Sequence, residues 1–213
     1  MHEIVNYIVD LVSQFGYWGI FIMMFLESTF FPFPSEVAMI PAGYLAFKGD
    51  MNIVVAILVG TTGSLSGALF NYYLAKKYGR KGVLAFGKYF FFNEEKLQKM
   101  EEYFVKHGSF STFISRLIPG IRQLISLPAG LSNMDIKKFT IYTTAGAGVW
   151  VVVLAILGYY LGVLVDDIDT SKAYIPQLLE ASKPYVHQIL YITLGAISVI
   201  TAIYVWNHKS KKI

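Results

Sequence analysis

Cysteine is absent from this chain of 213 residues, which excludes disulfides and thiolate metal sites. Charge is scarce: 15% of the residues are Asp, Glu, Lys or Arg, against roughly 25% in soluble domains. Its four histidines, at positions 2, 107, 187 and 208, have no ligand spacing, so no metal site is expected. No nucleophile–base pair and no phosphate loop is visible, so neither a catalytic residue nor a cofactor is expected. Lys and Arg are missing from Met1–Phe15, which carries Glu3 and Asp10. That segment lacks the basic start of a secretory signal and reads as an amphipathic interfacial helix.

What is abundant is apolar surface. Hydrophobic residues make up 55% and aromatics 16%, with a mean hydropathy of +0.51. This composition is that of a membrane protein. The net charge of +4 sits in clusters beside apolar segments, as membrane-orienting charges do, so nucleic-acid binding is not expected. Three segments, Ile53–Ala75, Phe139–Val165 and Ile189–Trp206, match the ~20 residues needed to cross a bilayer. Small-residue runs at Gly60–Ala68 and Ala145–Gly148 suit close helix contact.

Two further apolar stretches do not read as plain spans. Gly16–Phe47 is broken by Pro32, Pro34 and Pro41, and Phe110–Asn133 by Pro119-Gly120 and Pro128-Ala-Gly130. Proline removes a donor and interrupts a helix. The arm Ser109–Ile118 reaches only about 15 Å, half a bilayer. Re-entrant hairpins fit, since broken backbone at membrane depth survives only inside protein or beside a wet cavity. The halves also echo each other: Pro41-Ala-Gly43 recurs as Pro128-Ala-Gly130, and Tyr72-Tyr-Leu74 as Tyr159-Tyr-Leu161, both 87 residues on. Interrupted apolar segments in corresponding places point to a transporter's midplane site.

Charge sets orientation. Lys76, Lys77, Arg80, Lys81 and Lys88 follow the first span, Lys137 and Lys138 precede the second, and Lys209, Lys211 and Lys212 end the chain. The positive-inside rule puts Lys76–Lys138 and the C-terminus in the cytoplasm and Asp166–His187 outside. The first hairpin then opens outward and the second inward, an inverted repeat suited to alternating access. Asn93–His107 reads as a charged amphipathic helix on the inner surface. The expected fold is an all-α polytopic membrane protein. It consists of a single domain over residues 1–213: an interfacial helix at 1–15, hairpin-plus-span repeats at 16–81 and 93–165, a C-terminal transmembrane helix at 189–206 and a basic tail at 207–213.

Four charges lie within the interrupted stretches: Glu27, Glu36, Arg116 and Arg122. Each would cost roughly 2.5–3.5 kcal/mol unpaired at the bilayer centre. They must therefore pair, face water or hold a charged ligand. Arg116 and Arg122 flank Pro119-Gly120, and across that turn both guanidiniums can converge on one phosphate. Arginine's planar fork suits phosphate and keeps its proton. Glu27 and Glu36 straddle the other turn; a buried carboxylate beside an arginine can be poised to take up and release a proton. Ser28, Thr29, Gln123 and Ser126 are candidates to complete the shell. The competing expectation is that a carboxylate merely neutralises an arginine and locks the hairpins together.

Those residues carry a resemblance. The segment from Glu27 through Phe31-Pro-Phe-Pro-Ser-Glu36, the segment Arg116-Leu-Ile-Pro-Gly-Ile-Arg122 and the following Pro-Ala-Gly resemble the DedA family of bacterial inner-membrane proteins. That family is related to the SNARE-associated or VTT-domain proteins, which include eukaryotic lipid scramblases of autophagy. The similarity covers roughly Phe15 to Gly162. It implies two facing re-entrant loops, essential acidic and arginine residues, and lipid translocation driven by the proton-motive force. Members have been assigned to undecaprenyl phosphate recycling and to phosphatidylethanolamine distribution. The resemblance carries those roles onto Glu27, Glu36, Arg116 and Arg122. The expected partners are phosphate-headgroup lipids and protons, in a bacterial cytoplasmic membrane. Sequence leaves the oligomeric state open, a homo-oligomer included. The alternatives are a zwitterionic phospholipid flippase or scramblase, and a membrane scaffold or assembly factor.

The lysine clusters make the orientation testable. A reporter fused after Ile213 is expected in the cytoplasm and one inserted near Ser171 outside; finding both on one side would overturn the topology.

Overall fold

The computed structural model describes residues 15–29, 34–87, 94–107, 109–118, 121–164 and 182–186, with single positions 188, 191, 192 and 195. Among the described residues the elements named here are all helical: α1 (Tyr17–Glu27), α2 (Glu36–Phe47), α3 (Ile53–Gly87), α4 (Glu94–His107), α5 (Phe110–Arg116), α6 (Ser126–Leu131) and α7 (Ile136–Leu164). Except for Phe15, the expected interfacial helix lies outside the described residues, as do the third span (apart from Tyr191, Ile192 and Gly195) and the basic tail.

Among the described residues, two helices are long and apolar enough to cross a membrane, over Ile53–Ala85 and Ile136–Val163. Helix α3 runs past the expected end of its span because its basic segment stays helical beyond a kink. Gly79 makes that kink at φ 63° and ψ −169°, a conformation open to glycine alone at little strain. Beyond it, Arg80 ties the segment to α4 through Glu101 at 2.6 Å and Glu94 at 3.5 Å. Val83 packs with Leu97 and Leu127 underneath. The outward face of α4 carries a Lys99–Glu95 pair at 2.6 Å, and Glu95 holds the Lys99 ammonium above its usual pKa.

The prolines did not all act as expected. Pro41, read as a break, sits inside α2. Its missing N–H removes one rung of the ladder, but the buried run Val37–Tyr44 packs on both sides of it. In proteins such packing outweighs local preference. Pro128 likewise does not end a helix. It lies in the first turn of α6, where the missing donor has no intrahelical partner to lose.

Packing follows a reciprocal rule. Helix α1 lies on α3 and α5 lies on α7, each within its own half; α2 lies on α7 and α6 lies on α3, each across halves. The crossed contacts are backbone to backbone. A Cβ on Gly43 would overlap the Ala155 carbonyl oxygen and stand 2.9 Å from the Tyr159 nitrogen. One on Gly130 would overlap the Tyr72 carbonyl oxygen and stand 2.9 Å from the Ala75 Cβ. Gly43 and Gly130 are 87 residues apart, as are Tyr72 and Tyr159. The offset in the sequence is therefore also an offset in the contacts.

These contacts predict a graded response. Gly43→Ala and Gly130→Ala should each destabilise by about 1–3 kcal/mol through overpacking. Gly148→Ala, whose Cβ would meet only Thr61 at 3.6 Å, should stay within about 0.5 kcal/mol. Thermal unfolding in detergent measures all three; equal effects would remove the close-approach argument.

Candidate functional site

The crossed packing delivers polar side chains from both interrupted stretches to one buried point. Glu27 ends α1 and Ser28 follows it; Ser35 precedes α2; Arg116 ends α5; Arg122 stands in the turns before α6, whose first residue is Ser126. Glycines let the backbones in. A Cβ on Gly67 would stand 2.9 Å from the Ser28 Cβ, and one on Gly146 would stand 2.6 Å from the Arg116 Cβ. The small-residue runs on α3 and α7 thus set how deeply Ser28 and Arg116 are seated.

All six side chains are buried, Glu27 at 4% exposure, Arg116 at 2% and Arg122 at 7%. An Arg122 terminal nitrogen lies 2.8 Å from Glu27 Oε1, too oblique for a hydrogen bond, so the contact is one of charge. Arg122 also donates to Ser35 Oγ at 2.9 Å. Ser35 and Arg122 are themselves 87 residues apart, so the two repeats touch here through equivalent positions. Arg116 donates to Ser126 Oγ at 2.9 Å and to Ser28 Oγ at 3.4 Å. Ser28 in turn donates to Glu27 Oε2 at 3.0 Å and shares a 2.6 Å contact with Ser64 Oγ. Asn71 donates to the Ser28 carbonyl at 3.2 Å.

The electrostatics do not balance. Among the described residues two guanidiniums face one carboxylate, leaving an excess of one positive charge. The Nε donors of Arg116 and Arg122 are both buried without a hydrogen-bond partner among the described residues. The adjoining cavity is about 10 Å³, lined by Met24, Glu27, Ser64, Arg116, Arg122, Ala147, Trp150 and Val151. That is about the room one water needs. The arrangement is a small cavity beside two guanidinium Nε donors that lack partners among the described residues.

The structure brings Glu27, Ser28, Arg116, Arg122 and Ser126 together. Glu36 is half-buried at the start of α2 and pairs with neither arginine among the described residues. Thr29 turns its hydroxyl to the Leu26 carbonyl, finishing its own helix. Gln123 is half-buried, and no hydrogen bond ties it to the cluster among the described residues. Three residues were missed: Ser35, Ser64 and Trp150. Ser35 was findable, since it lies 87 positions before Arg122. Trp150 was too, standing in the middle of an apolar span where a buried indole N–H must find an acceptor. No signal singled out Ser64. Among the described residues no group of metal-ligating side chains occurs.

Removing one partner of a buried pair strands the other, which costs about 3–5 kcal/mol. Glu27→Ala strands the guanidiniums and should lose stability on that scale. Arg122→Ala leaves Glu27 linked to Arg116 through Ser28 and should lose less, and the double variant should recover part of the Glu27→Ala loss. A double-mutant cycle in detergent tests this; strictly additive losses would mean the two do not interact.

The chain is similar to known proteins over most of its described length. A model of the VTT domain matches residues 33–160. An uncharacterized membrane protein, YkoX of Bacillus subtilis, is 37% identical over 67% of this chain and 63% of its own length. The chain thus spans less than two thirds of that relative. An alkaline phosphatase-like protein of Lactococcus lactis is 36% identical over 73% of this chain and 75% of its own. Undecaprenyl phosphate transporter A of Staphylococcus aureus is 31% identical over 76% of this chain and 84% of its own. No solved structure matches significantly. The chain is a membrane protein of the VTT-domain, or DedA, family.

Proposed function

We propose that this protein moves a phosphate-headgroup lipid between leaflets of a bacterial cytoplasmic membrane, with undecaprenyl phosphate as the cargo returned from the outer to the inner leaflet. The observation that carries this is the buried excess positive charge, together with the two unpartnered guanidinium Nε donors. An uncompensated buried charge is unfavourable, and a monoanionic phosphate supplies the missing charge and the acceptors at once. The name of the Staphylococcus aureus relative supports the choice of lipid. The prenyl tail stays in the bilayer, so only the headgroup enters the site.

Arg116 and Arg122 hold the phosphate. Glu27 competes with it for Arg122, so protonating Glu27 frees the guanidinium for cargo and deprotonation expels it. Glu36, at the start of α2, meets the headgroup at the mouth of the first hairpin. The reciprocal packing at an 87-residue offset supports two re-entrant hairpins in an inverted repeat. On this reading the protein is a transporter and not an enzyme, which the relatives named undecaprenyl phosphate transporter A support. The phosphatase-like name of one relative is consistent with shared recognition of phosphate. A scaffold reading draws on the small cavity, which has room for about one water; in it the Glu27–Arg122 pair only locks the hairpins.

Transport of a phosphate lipid by the protein in vesicles decides between them. Arg116→Lys and Arg122→Lys keep the charge and lose the fork, so transport should fall at least tenfold while thermal stability changes little. Glu27→Gln should abolish the response to an imposed pH gradient and retain slow equilibration. Stably folded Lys variants with full transport would remove the arginines from the site. A Gln variant that still follows the gradient would remove Glu27 from coupling.

A further inference from the structure

Trp150 is buried at 4% exposure in the middle of α7, between the charge cluster and the core formed with Val151 and Leu154. Its indole lies against the Arg122 guanidinium, with the central carbon 5.3 Å from the ring centroid. The indole Nε1 donates to Ser35 Oγ at 3.1 Å, and Ser35 Oγ also accepts from Arg122 at 2.9 Å. Trp150 also lines the cavity shared by both arginines. Its counterpart 87 positions earlier is Gly63, where a Cβ would stand 2.6 Å from the Phe21 carbonyl oxygen. The same place in the repeat holds a glycine where a helix needs room and an indole where a guanidinium needs a wall.

From this geometry we infer that Trp150 is a positioning residue for anion recognition, holding Arg122 by one face so that its edge donors meet the phosphate. The inference rests on the transport reading above. A guanidinium has two faces and a rim of N–H groups, and only the rim forms the paired bonds that an oxyanion takes. An aromatic face covering one side attracts the cation and excludes water from it. On the rim, one terminal nitrogen is held by Ser35 and Glu27, and the buried Nε donor lacks a partner among the described residues. The Ser35 hydroxyl, gripped by the indole N–H, keeps the guanidinium from rotating out of that plane. Phosphate then approaches in the plane of the fork, and a ligand without oxyanion acceptors gains nothing from the arrangement.

The test uses the full chain with Trp18 and Trp206 replaced by Phe, leaving Trp150 as the single emitter. A short-chain prenyl phosphate is titrated in, with the matching prenyl alcohol as a control. The phosphate should shift Trp150 emission saturably and the alcohol should not, since only the phosphate changes the charge beside the ring. In vesicles, Trp150→Leu should raise the half-saturating phosphate-lipid concentration roughly tenfold with the maximal rate within about twofold. Trp150→Phe keeps the ring face and should recover most of that loss. Emission indifferent to phosphate in a preparation that transports it would overturn the inference and leave the transport reading standing. So would a Leu variant with unchanged half-saturation. A wild-type protein that transports no phosphate lipid overturns both readings.

Discussion

Three formal charges buried at one point organise the rest of this molecule. A lone guanidinium in a low-dielectric interior is unfavourable by several kcal/mol, so Arg116 and Arg122 have to be surrounded. Their surroundings come from distant parts of the chain: Glu27, Ser28 and Ser35 from the first interrupted stretch, Ser126 from the second, Trp150 from the long helix α7. No single helix supplies more than a fraction of the partners. The site is complete only when both halves are docked, which couples folding of the halves to solvation of the charges.

Docking at that range needs backbones to touch. The glycines at 43, 67, 130 and 146 are placed where a methyl group would strike a neighbouring backbone or a site residue. In a lipid environment helices gain little from apolar burial against each other, and close packing of small residues takes over that role. Here the same small residues have a second effect, because they decide how far Ser28 and Arg116 project into the cluster. Structure and site are therefore set by one feature.

The repeat is symmetric in packing and asymmetric in charge. Ser35 and Arg122 occupy equivalent positions and touch, yet the carboxylate belongs to the first half and both guanidiniums to the second. Trp150 and Gly63 divide in the same way. Symmetric packing brings both halves to one point, and the asymmetric residues leave two guanidiniums to one carboxylate there among the described residues.

Much of this was legible from the chain alone. Apolar runs of membrane length, the paired Pro-Ala-Gly and Tyr-Tyr-Leu signatures and four charges in otherwise apolar stretches are local patterns, and local patterns survive in a linear sequence. They determined the helical class and singled out Glu27, Arg116 and Arg122 as charges in need of partners. Tertiary structure decided what depends on distance. It joined Glu27 to Arg122, left Glu36 outside that pair, turned Thr29 back onto its own helix and brought in Ser64 and Trp150. It also kept Pro41 inside a helix, because burial of the residues around it outweighs one missing hydrogen bond. A spacing of residues states which groups need partners; only the crossed packing of α2 and α6 states which partner each one meets, since the two members of each pair are brought together by contacts spanning tens of residues.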